Sequence, residues 1–135
     1  MSSTRPASTP ARIVRVAPYL LVPDVAAAGD YYRSVFGFER EYMAGDPPEF
    51  AIYARDGHPV MFRRAPEPGR IVPAERQGGT WDVFCWVEGI DTLQAELEQR
   101  GAEFAYELTV QQSGMRELAV RDLNGYVLGF GEPTR

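Results

Sequence analysis

Histidine and cysteine each occur once in this chain of 135 residues, as His58 and Cys85. Nucleophilic and acid–base sites are often built from these residue types, so their settings bound the chemistry on offer. His58 abuts Asp56-Gly57 and precedes Pro59, the setting of an exposed turn residue and a poor general base. Cys85 lies between Phe84 and Trp86 with no histidine near it in any motif, and reads as a buried structural thiol. A lone cysteine rules out an internal disulfide, so no oxidising compartment is implied. No glycine-rich loop follows a strand to cradle phosphate, and Gly78-Gly79 is a hinge at best. Among the carboxylates, Glu117 occupies a strand position that could enter a cleft, as an acid or base or, more simply, as an ion-pairing partner. The other candidates are mostly aromatic: Tyr19, Tyr53, Trp81, Phe84 and Trp86, joined by Met61, Met115 and Arg63.

The elements that must position these side chains come as one pattern used twice. In the first run, Val14 to Val22 alternates as a strand and Asp24 can cap a helix over 25–36, whose stripe is Val25, Ala28, Tyr32, Val35 and Phe36. Gly37 supplies the left-handed stop, while Gly29 inside the helix costs about 1 kcal/mol against alanine. Strands are expected at 38–43, 49–55 and 58–64, the last two joined at Asp56-Gly57, a strong hairpin signal. Residues 65–80 hold Pro66, Pro68, Pro73, Gly69, Gly78 and Gly79 and read as a linker that could also serve as a lid. The second run repeats the order: a strand from Asp82 to Val87, a helix over 92–100 capped by Asp91 with Gln94 as a partial capping box, then strands at 102–108, 115–121 and 126–131 around Asn124-Gly125. Within that helix Glu96 and Arg100 form a favourable i,i+4 pair.

The length suits one domain, and 44% apolar with 12% aromatic residues is enough for a core. We expect a flexible N-terminal arm at 1–12, then a domain at 13–132 made of repeat one (13–64), the linker (65–80) and repeat two (81–132). The first residues lack the apolar core of a signal peptide, and no stretch approaches the ~20 apolar residues of a membrane span. A cytoplasmic location is expected. The net charge of -5 argues against nucleic acid and anionic membrane surfaces as partners, and mildly favours neutral or cationic ligands.

Leu20-x-Val22-x-Asp24, Tyr31-Tyr32 leading to Phe36-Gly37-Phe38, and above all the run from Gly114 to Gly125 resemble the bleomycin-resistance-like branch of the vicinal-oxygen-chelate superfamily. The resemblance covers residues 13 to 132. It implies an α+β fold of two βαβββ repeats forming cupped mixed sheets, helices outside, whose cups enclose a cleft, commonly at a homodimer interface. In the superfamily's enzymes one His and one Glu from each repeat hold a divalent metal. Carried across, those positions fall on Ala17, Met61, Asp82 and Gly129. Three of the four carry no usable ligand, and one carboxylate does not hold a divalent ion. The expectation is therefore no metal, no cofactor and no catalytic residue.

Strand alternation then sorts the cleft. Tyr19, Tyr53, Met61, Arg63, Trp81, Phe84, Trp86, Met115 and Glu117 are the expected ligand-binding residues, with Asp82 facing the same way. Such aromatics with a few polar groups suit flat heteroaromatic or cationic small molecules; the alternative is that they fill a closed core or a dimer interface. The leading reading is a protein that binds or sequesters a small molecule, an antibiotic or a metabolite, without metal. The alternatives are a metal-independent lyase or isomerase using Glu117 or Asp82, and a metal-dependent lyase or dioxygenase with its ligands elsewhere.

Overall fold

The computed structural model describes residues 9–134; most of the expected N-terminal arm lies outside them. The first strand, β1 (Tyr19–Val22), leads into α1 (Val25–Phe36) and then β2 (Glu39–Ala44), β3 (Phe50–Arg55) and β4 (His58–Arg64). After short 3₁₀ turns at Pro68–Arg70 and Ala74–Gln77, the order recurs as β5 (Val83–Trp86), α2 (Ile90–Gln99), β6 (Glu103–Val110), β7 (Met115–Arg121) and β8 (Val127–Pro133). Each run makes a four-stranded mixed sheet, ordered β1-β4-β3-β2 and β5-β8-β7-β6. No helix among the described residues is long and apolar enough to cross a membrane.

Local signals account for α1. Asp24 accepts from the Ala27 amide at 3.0 Å, and Gly37 closes the helix at φ 73°, where a side chain would be strained. Gly29 proves more than a blemish: a Cβ there would stand 2.4 Å from the Tyr53 ring, so glycine lets the helix lie on the sheet. The start of α2 differs from expectation. Its N-cap is Gly89, with no side-chain cap of its own. Glu132 of β8 instead accepts from the amides of Gly89 (3.2 Å) and Ile90 (2.9 Å), satisfying donors that Asp91 was expected to serve. The expected strand from Val14 shrinks to Tyr19–Val22. Pro18 has no N–H to give, and neither has Pro59, which the parallel register with β4 sets opposite residue 17. Ile13, Val14 and Val16 are consequently exposed.

The helix-facing sides of both sheets meet in one cluster that includes Val22, Tyr32, Phe36 and Phe62 from the first run and Ile90, Leu97, Leu118 and Leu128 from the second. Polar bridges cross the same seam. Tyr32 donates to Asp122 at 2.7 Å, Tyr126 to the Leu21 carbonyl at 2.6 Å, and Arg55 binds Glu96 through two bonds of 2.9 Å. Each helix thus lies outside its cup, and the two hollows are left on the surface of the single chain.

Candidate functional site

Pairing registers decide which side chains share a hollow. In the first sheet Tyr19 pairs with Met61 and Leu21 with Arg63, while Met61 pairs with Ile52 and Arg63 with Phe50. Tyr19, Leu21, Phe50, Ile52, Met61 and Arg63 therefore line one wall. Arg63 is held there by the Tyr19 hydroxyl, to which Nε donates at 3.2 Å, and by the Phe50 ring, 5.2 Å from its guanidinium carbon. Tyr42, opposite Ile52, joins them, its ring tilted at 57° to that of Phe50 with centroids 6.2 Å apart.

Tyr53 does not belong to this wall. The two-residue turn pairs Arg55 with His58, and so Tyr53 with Val60 and not with Met61. Its ring is buried against Gly29 on the helix side, only 3% exposed. Asp82 is also turned away: its two oxygens accept from the Ala74 amide (2.9 Å) and the Val127 amide (2.8 Å), which staples the linker to β8. Both of its oxygens are thus engaged in holding backbone amides.

The second hollow collects Trp81, Phe84, Trp86, Met115 and Glu117, as sorted by pairing of Phe84 with Gly129, Trp86 with Gly131 and Gly131 with Glu117. Rings of Trp81 and Phe84 lie 4.6 Å apart, and Phe84 meets Trp86 at 5.0 Å. Glycine makes this possible. A Cβ on Gly129 would fall 2.4 Å from Trp81, and one on Gly131 would fall 2.6 Å from both Phe84 and Met115. Tyr106 completes the wall, opposite Ala119. The Trp81 indole N–H donates to its oxygen at 2.9 Å, and its own hydroxyl donates to Glu117 Oε1 at 3.0 Å. Burial raises the Tyr106 pKa; the Trp81 bond opposes this, and the Glu117 carboxylate adds to it. Tyr106 therefore stays protonated and able to donate. Glu117 forms no ion pair with any described residue, contrary to its simplest expectation; a phenol holds it instead.

These walls are open in the single chain. Trp86 is 74% exposed and Tyr19 54%. A groove of about 550 Å³ lies elsewhere, along the seam at Gly37, Arg55, Glu96 and Arg100. The charged groups at its centre already engage one another: Arg55 and Arg100 both bind Glu96, and the Arg55 bond first of all holds the Glu96 carboxyl below its usual range. We therefore assign the candidate site to the aromatic walls. His58 is exposed at the hairpin turn. Cys85 is half-buried on the helix side, and burial pushes its thiol up to about 11, away from nucleophilic use.

The positions that would carry a divalent metal do not fit one. Ala17, Met61 and Gly129 offer no hard donor, and Asp82 is committed to two amides. Among the described residues, no group of three His, Cys, Asp or Glu could hold a metal ion. Purified protein should carry far less than one divalent ion per chain, and added Zn²⁺ or Mn²⁺ should leave its melting temperature nearly unchanged, since ligation to the folded state alone would raise it. Elemental analysis finding a stoichiometric ion at residues 17, 61, 82 or 129 would contradict this assignment.

Residues 12–130 match the family model described as Glyoxalase/Bleomycin resistance protein/Dioxygenase superfamily. No curated protein matches the chain. Among solved structures it is similar to TioX from Micromonospora sp. ML1, at 27% identity and TM-score 0.73 over 90% of this chain and 99% of that one. It is also similar to a glyoxalase-related enzyme from Clostridium phytofermentans, at 17% identity and TM-score 0.74 over 92% and 98%. A lactoylglutathione lyase from Agrobacterium tumefaciens aligns at 18% identity and TM-score 0.64 over 92% and 96%. The last two likenesses are of fold alone.

Proposed function

We propose that this chain, which belongs to the Glyoxalase/Bleomycin resistance protein/Dioxygenase superfamily, binds and sequesters a small molecule, an antibiotic or a metabolite, without a metal and in the cytoplasm. The observation that carries this reading is the second hollow. Trp81, Phe84 and Trp86 stand on a sheet whose opposite face is already packed, and although they pack on one another Trp81 stays 37% and Trp86 74% exposed. An exposed aromatic surface of this kind is what a ligand or a partner covers. The test is a thermal-shift screen of antibiotics and metabolites in the presence of a chelator, followed by calorimetry on the hits. Absence of any hit that quenches tryptophan fluorescence would count against it.

The same exposure supports a homodimer in which a second copy closes each hollow, the commonest oligomer by symmetry. Sedimentation at tens of micromolar protein should give a dimer; a monomer at every concentration would remove this part of the reading.

A metal-independent lyase or isomerase is the second reading, favoured by one observation: Glu117 is 7% exposed inside the hollow beside a protonated phenol. Product analysis on a screened ligand separates the readings, because sequestration returns the ligand unchanged.

A further inference from the structure

The wall built by the second sheet has one sign of charge. Trp81, Phe84 and Trp86 form an aromatic surface of mutually tilted rings that carries no formal charge. Glu117 lies among them with Oε1 bonded to Tyr106. Its Oε2 accepts no hydrogen bond from any described residue, yet no buried side-chain oxygen or nitrogen lacks a partner, so that oxygen keeps contact with solvent. The cations nearest in sequence are engaged elsewhere: Arg116 binds Asp91 at 2.6 Å, and Arg121 binds Glu75 at 2.8 Å and Glu103 at 3.3 Å. Arg63 stands on the other sheet's wall. A planar anion on this surface would meet repulsion from the carboxylate. A planar cation would gain attraction to the rings and a charge-assisted hydrogen bond to Oε2.

Resting on the binding reading above, we propose that this wall selects planar aromatic ligands that carry a protonated, hydrogen-bond-donating nitrogen. Glu117 determines that specificity, and Tyr106 is a positioning residue. The chain of bonds from Trp81 through Tyr106 to Glu117 fixes the carboxylate with its second oxygen free. Gly129 permits the indole to lie close enough to the sheet to begin it.

The test uses the protein's own reporters, because both of its tryptophans, Trp81 and Trp86, belong to this wall. Full-length protein is titrated with 9-aminoacridine, a planar cation, and with 9-anthracenecarboxylate, a tricyclic anion of similar size, by calorimetry and tryptophan quenching. The cation should bind at least about tenfold more tightly, as one charge-assisted bond allows. Glu117→Gln keeps an acceptor for Tyr106, so the wall should stand, and should bring the two affinities to within about threefold. Tyr106→Phe should reduce the preference while leaving anion affinity unchanged, which a loss of folding would not do. Equal binding of both probes, with quenching, overturns the selection and leaves the binding reading intact, as does a preference that survives Glu117→Gln. Binding of neither probe also overturns the selection; the binding reading then falls only if the thermal-shift screen yields no hit.

Discussion

Replacing Asp122 with alanine should cost the fold about 3–5 kcal/mol, the range for leaving several buried polar groups unpartnered. Asp122 is 5% exposed. Its Oδ1 accepts from the amides of Asn124 (2.8 Å) and Tyr126 (3.0 Å), and its Oδ2 from the Tyr32 hydroxyl at 2.7 Å. The carboxylate holds the β7–β8 turn and ties it to α1 of the other repeat, so its loss strikes both. Tyr32 is fully buried, and water cannot replace the lost acceptor there. Chemical denaturation should show the full loss; a cost below about 1 kcal/mol would mean that the turn holds by itself.

The same residue sets a pH dependence. Burial pushes Asp122 up to about 6, against the bonds from Tyr32, Asn124 and Tyr126 that pull it down, with Asp82 nearby adding to the rise. The folded state therefore holds this proton more tightly than the unfolded chain does. Its contribution to stability is complete below the unfolded value and is lost as pH rises through about 6, up to about 3 kcal/mol in all. Glu75, Asp91 and Glu96 act oppositely. Hydrogen bonds from Arg121, Arg116 and Arg55, respectively, lower their pKa values, so their support is lost only as pH falls below the usual carboxylate range. Stability should accordingly rise on going from pH 7 to about 5 and fall below about 4.5. Asp122→Asn keeps Oδ1 for the two amides, should cost only about 1 kcal/mol, and should remove the rise while leaving the acid limb. An unchanged pH profile in that variant would show that another group is responsible.

Trp86→Ala should weaken a bound ligand by about 1–3 kcal/mol, the usual cost of removing an aromatic anchor. The prediction discriminates well because the side chain contributes little to its own chain's fold. It is 74% exposed, and its ring contact is with Phe84 alone among the described residues. Melting temperature should change little at fixed oligomeric state, while affinity should fall by between about fivefold and about 150-fold. Tyr53→Phe is the internal contrast. It removes a hydroxyl on the helix side and should leave ligand affinity untouched.

The contrast between Trp86 and Tyr53 also shows what the sequence could and could not tell. Alternation was enough for Tyr19, Leu21, Phe84 and Trp86, because β1 and β5 are short regular strands paired in parallel with their neighbours. Simple alternation sets Tyr53 on the wrong face although the information is present: a two-residue turn at Asp56-Gly57 fixes the pairing parity of the whole hairpin. Tyr42 and Tyr106 were hidden for a different reason. The ladder shifts between Arg40 and Tyr42, and again on both sides of Tyr106, and each bulge reverses the count of faces. Helix α1 was legible end to end because its cap, stripe and stop are all local. The cap of α2 was not, since Glu132 arrives from a strand far along the chain. Gly29 looked costly because the ring that requires its absent side chain belongs to β3.

The most direct test of the central claim, a metal-independent aromatic site on the second hollow, is calorimetric titration of a screened ligand into wild-type and Trp86→Ala protein, both treated with chelator. The wild type should bind at full strength without metal, and the variant should lose at least about fivefold in affinity with its fold and assembly unchanged. Binding that disappears on chelation, or an affinity the Trp86 variant retains, would contradict it.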